Sequence, residues 1–355
     1  MFSEIQIELK NILQLDQVSI VPLKEPITIG FYEKWLSQNY YGTMNYLKDH
    51  FELKKQAKKI NPRFESVITV TQSYFPVLKP TAQKLSARIA TYAQNEDYHY
   101  WLKDKLNVAI EILKQKFPDD IFAAYVDSGP VLEKDIAFQA GHGWFGKNSC
   151  LIHPKKGSLF FVAEILSSIN TDQLKLNPII PKPDMCGTCN RCMVACPTQA
   201  IIAPQIIKAD QCISYLTIES KIAPPMELRT KISDWFFGCD ICQTVCPWNE
   251  KVFRTDNVPD SHATSTDSFL NLNQTEKNDQ IIFFKMILTS SNKQLQKYFF
   301  GTALHRAAGF GLKRNALVVI ANRKIIELKS DVTELTSDPK LGELAQWTLN
   351  NLTDY

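Results

Sequence analysis

"DMCGTCNRCMVACPTQAI", residues 184–201, spaces its cysteines as Cys186-x2-Cys189-x2-Cys192-x3-Cys196-Pro197. This is the spacing of bacterial ferredoxins, in which three thiolates ligate one cubane cluster and the fourth reaches across to a second. The short steps let a turning backbone wrap a cluster, and Pro197 then redirects the chain. "CDICQTVCP", residues 239–247, repeats the rhythm with its first beat missing, as Cys239-x2-Cys242-x3-Cys246-Pro247. Each cubane takes four thiolates, and Cys212 is the only unassigned cysteine of this region. The expected ligand sets are Cys186, Cys189, Cys192 and Cys246 for one 4Fe-4S cluster, and Cys196, Cys212, Cys239 and Cys242 for the other. Zinc is the competing reading, but zinc sites pair C-x2-C units across a longer loop and do not call for three successive x2-spaced cysteines. The ninth cysteine, Cys150, reads as a small buried hydrophobe.

At 355 residues the chain has room for two or three domains. Its 45% hydrophobic and 22% charged content is that of a globular protein, which argues against wholesale disorder. A net charge of only +3 means that any nucleic-acid footprint is local. "MFSEIQIELKNILQLDQ" (1–17) mixes acidic and apolar residues without a basic region and long apolar core, so no secretory signal is expected. Apolar runs fall well short of the ~18 residues of a spanning helix. A cytoplasmic protein without membrane attachment is the expectation, and nine cysteines in that compartment point to metal rather than disulfides.

Along the chain, residues 1–20 show helical spacing with Ile5, Leu9, Ile12 and Leu13 on one face, and a second helix is expected over 30–48. "SVITVTQSYFP" (66–76) and "IFAAYVDSGP" (121–130) read as buried strands, with helical signals over 81–117 between them. The glycine-rich "AGHGWFGKNS" (140–149) precedes two candidate strands separated by "HPKKGS", and proline-rich "NPIIPKPD" (177–184) reads as a linker. After a polar stretch over 256–268, helical periodicity resumes. The fold class expected is α+β, with a mixed α/β domain over 1–180, a ferredoxin-like two-cluster domain over 181–255 and a helical domain over 270–355.

Two clusters form an electron wire, and the preceding residues should hold what receives the electrons. Asp127 ends a predicted strand, where it either caps the following turn as an Asx carboxylate or, if burial raises its pKa, donates a proton during a reduction. Tyr98 and His99 stand beside Asp97, where His99 either shuttles protons or packs as a satisfied side chain. Lys147 and Asn148 follow the glycine-rich loop, whose backbone could approach a ligand closely, although it matches neither a P-loop nor a dinucleotide fingerprint. Residues 281–326 carry Lys285, Lys293, Lys297, Arg306, Lys313, Arg314, Arg323 and Lys324 with no acidic residue. That is either a footprint for phosphates or a solvated surface balanced by the six acidic residues of 327–355.

Together, "YGTMNYLKDH", "ARIATYAQNEDYHYWLK", "YVDSGPVLEKDIAFQAGHGWFGKNSCLI", the double cysteine motif and "GTALHRAAGFGLKRNALVVIAN" resemble the epoxyqueuosine reductases, which complete queuosine in tRNA. The resemblance implies a cobalamin-binding N-terminal domain of the reductive-dehalogenase and nitroreductase-like kind, without a histidine ligand from the protein, and C-terminal HEAT-like repeats. It also implies the substrate, epoxyqueuosine at the wobble base of tRNAs for Asp, Asn, His and Tyr. The proton donor implied is Asp127, the aspartate of a "VD[ST]" element. Electrons would pass from the clusters to cobalamin, supplied by a flavodoxin or ferredoxin system, in a chain expected to act as a monomer. Tyr98 and His99 match an "RDYH"-type element, except that Glu96 stands where an arginine is expected. Lys293, Lys297, Arg306, Lys313, Arg314, Arg323 and Lys324 are the tRNA-binding candidates. Two rivals are a cobalamin-dependent reductive dehalogenase, which would not need the basic segment, and a non-catalytic iron–sulfur carrier, which would leave the N-terminal residues idle.

Overall fold

The structure is a computed structural model that describes residues 2–74, 87–174, 179–253 and 277–352. Its N-terminal part is built on a four-stranded antiparallel sheet in which Gln17–Pro22, Ser66–Ser73, Phe160–Ser167 and Phe122–Val126 lie side by side in that order. Ser66–Ser73 is bonded on both edges, and its run of β-branched residues suits a strand packed on both faces. Period-two alternation sends Ile68 and Val70 to one face and Val67 to the other. The first face packs under helices Phe2–Leu13 and Tyr98–Lys116, through Ile5, Leu9 and Leu13 and through Leu102, Leu106, Ala109 and Leu113. Each fully buried aliphatic chain here contributes about 1.5–3 kcal/mol.

Three sequence expectations shift. The periodicity read as helix over 1–20 ends at Leu13, and "QVSIVP" is an edge strand instead, short enough to be hidden behind the helix pattern. Ile12, placed on the buried face, is 56% exposed, because the helix lays its Ile5–Leu9–Leu13 stripe on the sheet. The helix expected over 30–48 breaks into Ile29–Ser37, Tyr46–Asp49 and Phe51–Lys55. Of the helical stretch over 81–117, the described part begins with the short strand Arg88–Ile89 and becomes helical only at Tyr98, where Asp97 supplies the N-cap. The polar stretch 256–268 lies outside the described residues.

Strand Arg88–Ile89 pairs in parallel with Trp235–Phe237, which leads into Cys239. One apolar core takes in this pair, Ile213 and Leu216, and the C-terminal helices Lys277–Thr289, Asn292–Tyr298, Ala308–Arg323, Lys329–Glu334 and Gly342–Leu352. Helix Ala308–Arg323 is apolar on nearly all sides and sits at its centre, with Leu312, Ala316, Leu317 and Ile320 fully buried. Among the described residues no helix is long and apolar enough to cross a membrane.

That central helix also overturns part of the basic footprint. Arg314 is wholly buried, donating to the carbonyls of Ser220 and Ile222 and to Asn315 Oδ1, and burial pulls its pKa down to about 10. A cation with its donors spent on backbone carbonyls inside a core cannot meet a phosphate. Arg323 pairs with Asp234, and Lys324 donates to the Asn351 carbonyl, capping the helix in the left-handed region. Replacing Arg314 with Met should strip those carbonyls of their donor and destabilise the protein by roughly 3 kcal/mol, read as a lowered thermal unfolding midpoint.

Candidate active site and cysteine clusters

Strand Phe122–Val126 ends at Asp127, which takes the left-handed backbone conformation at φ 56°. For a residue with a Cβ that costs on the order of 1–3 kcal/mol and persists only where the surroundings enforce it. Here Gly129 packs so tightly that an added Cβ would lie 2.8 Å from the Tyr125 side chain, which forces a sharp turn directly after Asp127. The carboxylate is thereby thrown away from its own turn and toward the start of helix Tyr98–Lys116. Tyr98 donates its hydroxyl to Asp127 Oδ2 at 2.6 Å, and His99 Nε2 stands 3.6 Å from the same oxygen. The N-cap Asp97 holds the other side of the imidazole, with Oδ1 2.6 Å from His99 Nδ1. Tyr98 is clamped between Phe161, stacked at 4.0 Å, and the His99 ring at 4.1 Å.

The electrostatics follow from this geometry. Burial pushes the Asp127 carboxyl up, but the bonds from His99 and Tyr98 outweigh it and hold the group at about 2. Burial pulls His99 down, yet the carboxylates of Asp127 and Asp97 together raise it to about 9. Burial and the Asp127 charge both raise Tyr98. At neutral pH the cluster is therefore a carboxylate, an imidazolium and a neutral phenol. The raised carboxyl pKa expected of Asp127 does not occur; the proton sits on His99. Behind it Glu164, buried and with Oε1 unpartnered, is raised well above the ordinary range by burial and by neighbouring Glu133.

Asp127 is exposed to solvent. Its side chain is 56% exposed, although Tyr46, Tyr92, Glu133, Lys134 and Arg306 all stand near enough to share its field. Arg306 grips Glu219 at 2.9 and 3.2 Å and lies over the Tyr46 ring. Tyr92 links Asp127 to the cysteine region, since both Asp127 and Asp240 raise its pKa after burial does.

The cysteines gather in two groups. The Cys192 thiol neighbours Cys186, Cys246 and Cys189, while Cys239 neighbours Cys212 and Cys196, and Cys242 neighbours Cys239 and Cys212. Cys246 thus leaves its own sequence run to join the first group. All are free thiols, and several sulfurs receive backbone N–H groups: Cys212 from Tyr215 and Ser214, Cys239 from Ile241, Cys246 from Trp248 and Asn249. The indole N–H of Trp144, buried and without an oxygen or nitrogen acceptor, lies against Cys186. Donors aimed at sulfur suit thiolates that carry a negatively charged cluster. Among the described residues no three His, Cys, Asp or Glu side chains stand close enough to share one ion.

A model for a 4Fe-4S double cluster binding domain matches residues 185–249, and one described as epoxyqueuosine reductase QueG matches residues 54–128. The epoxyqueuosine reductase of Cyclobacterium marinum is 43% identical over 217 residues, spanning 61% of this chain and 69% of that protein. That of Francisella cf. novicida is 34% identical over 344 residues, spanning 91% of this chain and 88% of that protein. The chain belongs to the epoxyqueuosine reductase family. It is therefore an oxidoreductase with a double 4Fe-4S domain. A crystal structure of an epoxyqueuosine reductase with an epoxyqueuosine-modified tRNA-Tyr stem loop superposes with a TM-score of 0.79 at 26% identity, covering 99% of this chain and 90% of that one.

Lys147 and Asn148, the candidates that follow the glycine-rich loop, reach the cysteine region. Lys147 donates to the carbonyls of Gly187 and Cys189 at 2.7 and 2.8 Å, and Asn148 donates to the Cys242 carbonyl at 3.1 Å. They brace the cysteine loops. The glycines before them serve a tight hairpin, for a Cβ on Gly143 would stand 2.4 Å from the Ile152 carbonyl oxygen. Cys150, read as a small hydrophobe, is instead hydrogen-bonded to Cys242, a contact that no local sequence pattern announces. No local sequence pattern marks Tyr92 or Glu219, whereas Asp97, beside Tyr98 and His99 in the sequence, occupies the N-cap ahead of a helical run.

The charge pairing can be read directly. In histidine-labelled protein the His99 ring signals should titrate near pH 9, and Asp127→Asn should move the midpoint down toward the ordinary value of about 6.5, followed by NMR.

Proposed function

We propose that this chain reduces epoxyqueuosine to queuosine in tRNA, with the reaction at Asp127. The observation that carries the reading is the Tyr98–His99–Asp127 cluster, its carboxylate exposed to solvent, in a chain of this family that also gathers its cysteines in two groups. The ligand sets favoured are Cys186, Cys189, Cys192 and Cys246, and Cys196, Cys212, Cys239 and Cys242, which the thiol neighbourhoods support. Cobalamin would be held near the exposed Asp127 carboxylate, with Tyr46 and Arg306 among the residues around it. When bound, the clusters supply electrons singly and cobalamin supplies a strongly reducing cobalt centre.

The residues of the chain handle the protons. The epoxide loses its oxygen as water, taking two electrons and two protons and leaving a carbon–carbon double bond. An alkoxide is a poor leaving group in a partly desolvated pocket, so the oxygen must be protonated as its bond to carbon breaks. Asp127, ionised in the open site, meets that oxygen with a proton received from His99, and the second proton enters from the exposed side of the carboxylate. Asp97 keeps the imidazole charged and oriented, and Tyr98 fixes the carboxylate rotamer.

The tRNA is gripped from the C-terminal side, by Lys293, Lys297 and Lys313 and by Arg306, with 1–180, 181–255 and 270–355 as the catalytic, cluster and HEAT-like tRNA-binding regions. The wobble nucleosides of tRNAs for Asp, Asn, His and Tyr are the substrates in this reading, and a flavodoxin or ferredoxin system is the electron source. A reductive dehalogenase would have no use for the exposed lysines on this side.

Reduced protein incubated with epoxyqueuosine-containing tRNA should yield a nucleoside one oxygen lighter by mass; an unchanged mass would refute the reading. Asp127→Asn should keep its iron yet turn over at least about a hundredfold more slowly. Turnover should fall as pH rises through about 9, where His99 gives up its proton, and His99→Gln should be slow and lack that decline. Cys212→Ala should lose about half of the bound iron, one cluster of the two.

A further inference from the structure

Beside the Asp127 cluster lies a strip of exposed aromatic surface that the proposed chemistry leaves unused. Phe300 is 70% exposed and Tyr100 is 54% exposed, large apolar surfaces to leave in water beside a catalytic cluster. Their rings stand 6.4 Å apart, and His305 meets the edge of Phe300 at 5.9 Å. The two elements that carry them are tied rigidly: Glu96 and Thr302 form a β-bridge, and Asp97 donates its backbone N–H to the Gly301 carbonyl at 2.9 Å. Gly301 adopts a left-handed φ of 78°, which turns the chain sharply just past Phe300. The strip continues from Phe300 through His305, whose charge Asp97 feels, to His99 and Asp127. Exposed lysines flank it, with Lys293 and Lys297 on the preceding helix, while Arg306 beside His305 is paired with Glu219.

A face that joins stacking surfaces to phosphate-seeking cations and ends at a reaction centre fits one occupant, an unstacked nucleobase of a single-stranded RNA loop. We propose that Phe300 and Tyr100 form a stacking platform for an anticodon-loop base adjacent to the modified nucleoside, positioning that nucleoside over Asp127. This rests on the tRNA reading above and adds where the loop is held. Phe300 is a positioning residue, and its contribution lies in binding rather than in proton transfer.

The test uses the reconstituted holoenzyme and a synthetic epoxyqueuosine stem-loop with 2-aminopurine beside the modified position. The unaltered protein should quench the 2-aminopurine fluorescence on binding. Phe300→Ala should abolish the quench and raise Kd and KM about tenfold or more, with a smaller change in kcat, and Tyr100→Ala should act in the same direction. Phe300→Trp should restore the quench, which a purely structural role would not predict; the thermal unfolding midpoint of Phe300→Ala should stay near that of the parent because the ring is exposed. An unchanged quench and KM in Phe300→Ala, with normal turnover by the parent, overturns the platform alone. Failure of the parent itself to remove the oxygen overturns the functional reading instead.

Discussion

One buried carboxylate joins the cysteine loops of this molecule to the segment that leads into the helix bearing Tyr98 and His99. Asp240 stands between Cys239 and Cys242, accepts the backbone N–H and the hydroxyl of Thr91 at 2.7 and 2.8 Å, and is 2% exposed. Burial raises its pKa, so its bonds to Thr91 must offset a desolvation cost that grows if the contact loosens. The segment it holds, Arg88 to Ala93, pairs with Trp235–Phe237 on one side and leads into the helix bearing Tyr98 and His99 on the other. A shift of this contact would move a cysteine loop and the proton-handling helix together. Asn249 adds a second tie, donating to Ser158 and to the Gln243 carbonyl while accepting from the Ser158 backbone.

The Tyr98–His99–Asp127 cluster gathers strain and charge in a small volume. Asp127 sits at positive φ two residues before Gly129, where a Cβ would meet the Tyr125 side chain, and its carboxylate is captured by residues from another element. An ionised carboxylate facing an imidazolium at 3.6 Å keeps a proton available across the physiological range without a buried neutral acid. The resting proton belongs to His99 rather than to the carboxylate.

The C-terminal cations illustrate how one composition divides between fold and surface. Of eight positive residues in an acid-free stretch, Arg314 is consumed by the core, Arg306 and Arg323 pair with Glu219 and Asp234, and Lys285 faces Asp331. Three of these partners lie far away in sequence or beyond the stretch counted, so the local asymmetry overstated the exposed charge. The neighbouring aromatic surface, invisible to a count of charges, is the more distinctive feature of that face.

The cysteine spacing alone determined that this chain carries a double-cluster domain, because ligand number and short-loop reach are local constraints that a linear pattern expresses. The central strand Ser66–Ser73 was legible for the same reason, through period-two alternation. Only the tertiary structure decided that the carboxyl of Asp127 is ionised, that Arg314 is buried, and that Lys147, Asn148 and Cys150 attend the cysteine loops. Each of those depends on partners from elements far apart in the chain, and a pKa or a burial is set by the sum of such neighbours rather than by the residues on either side.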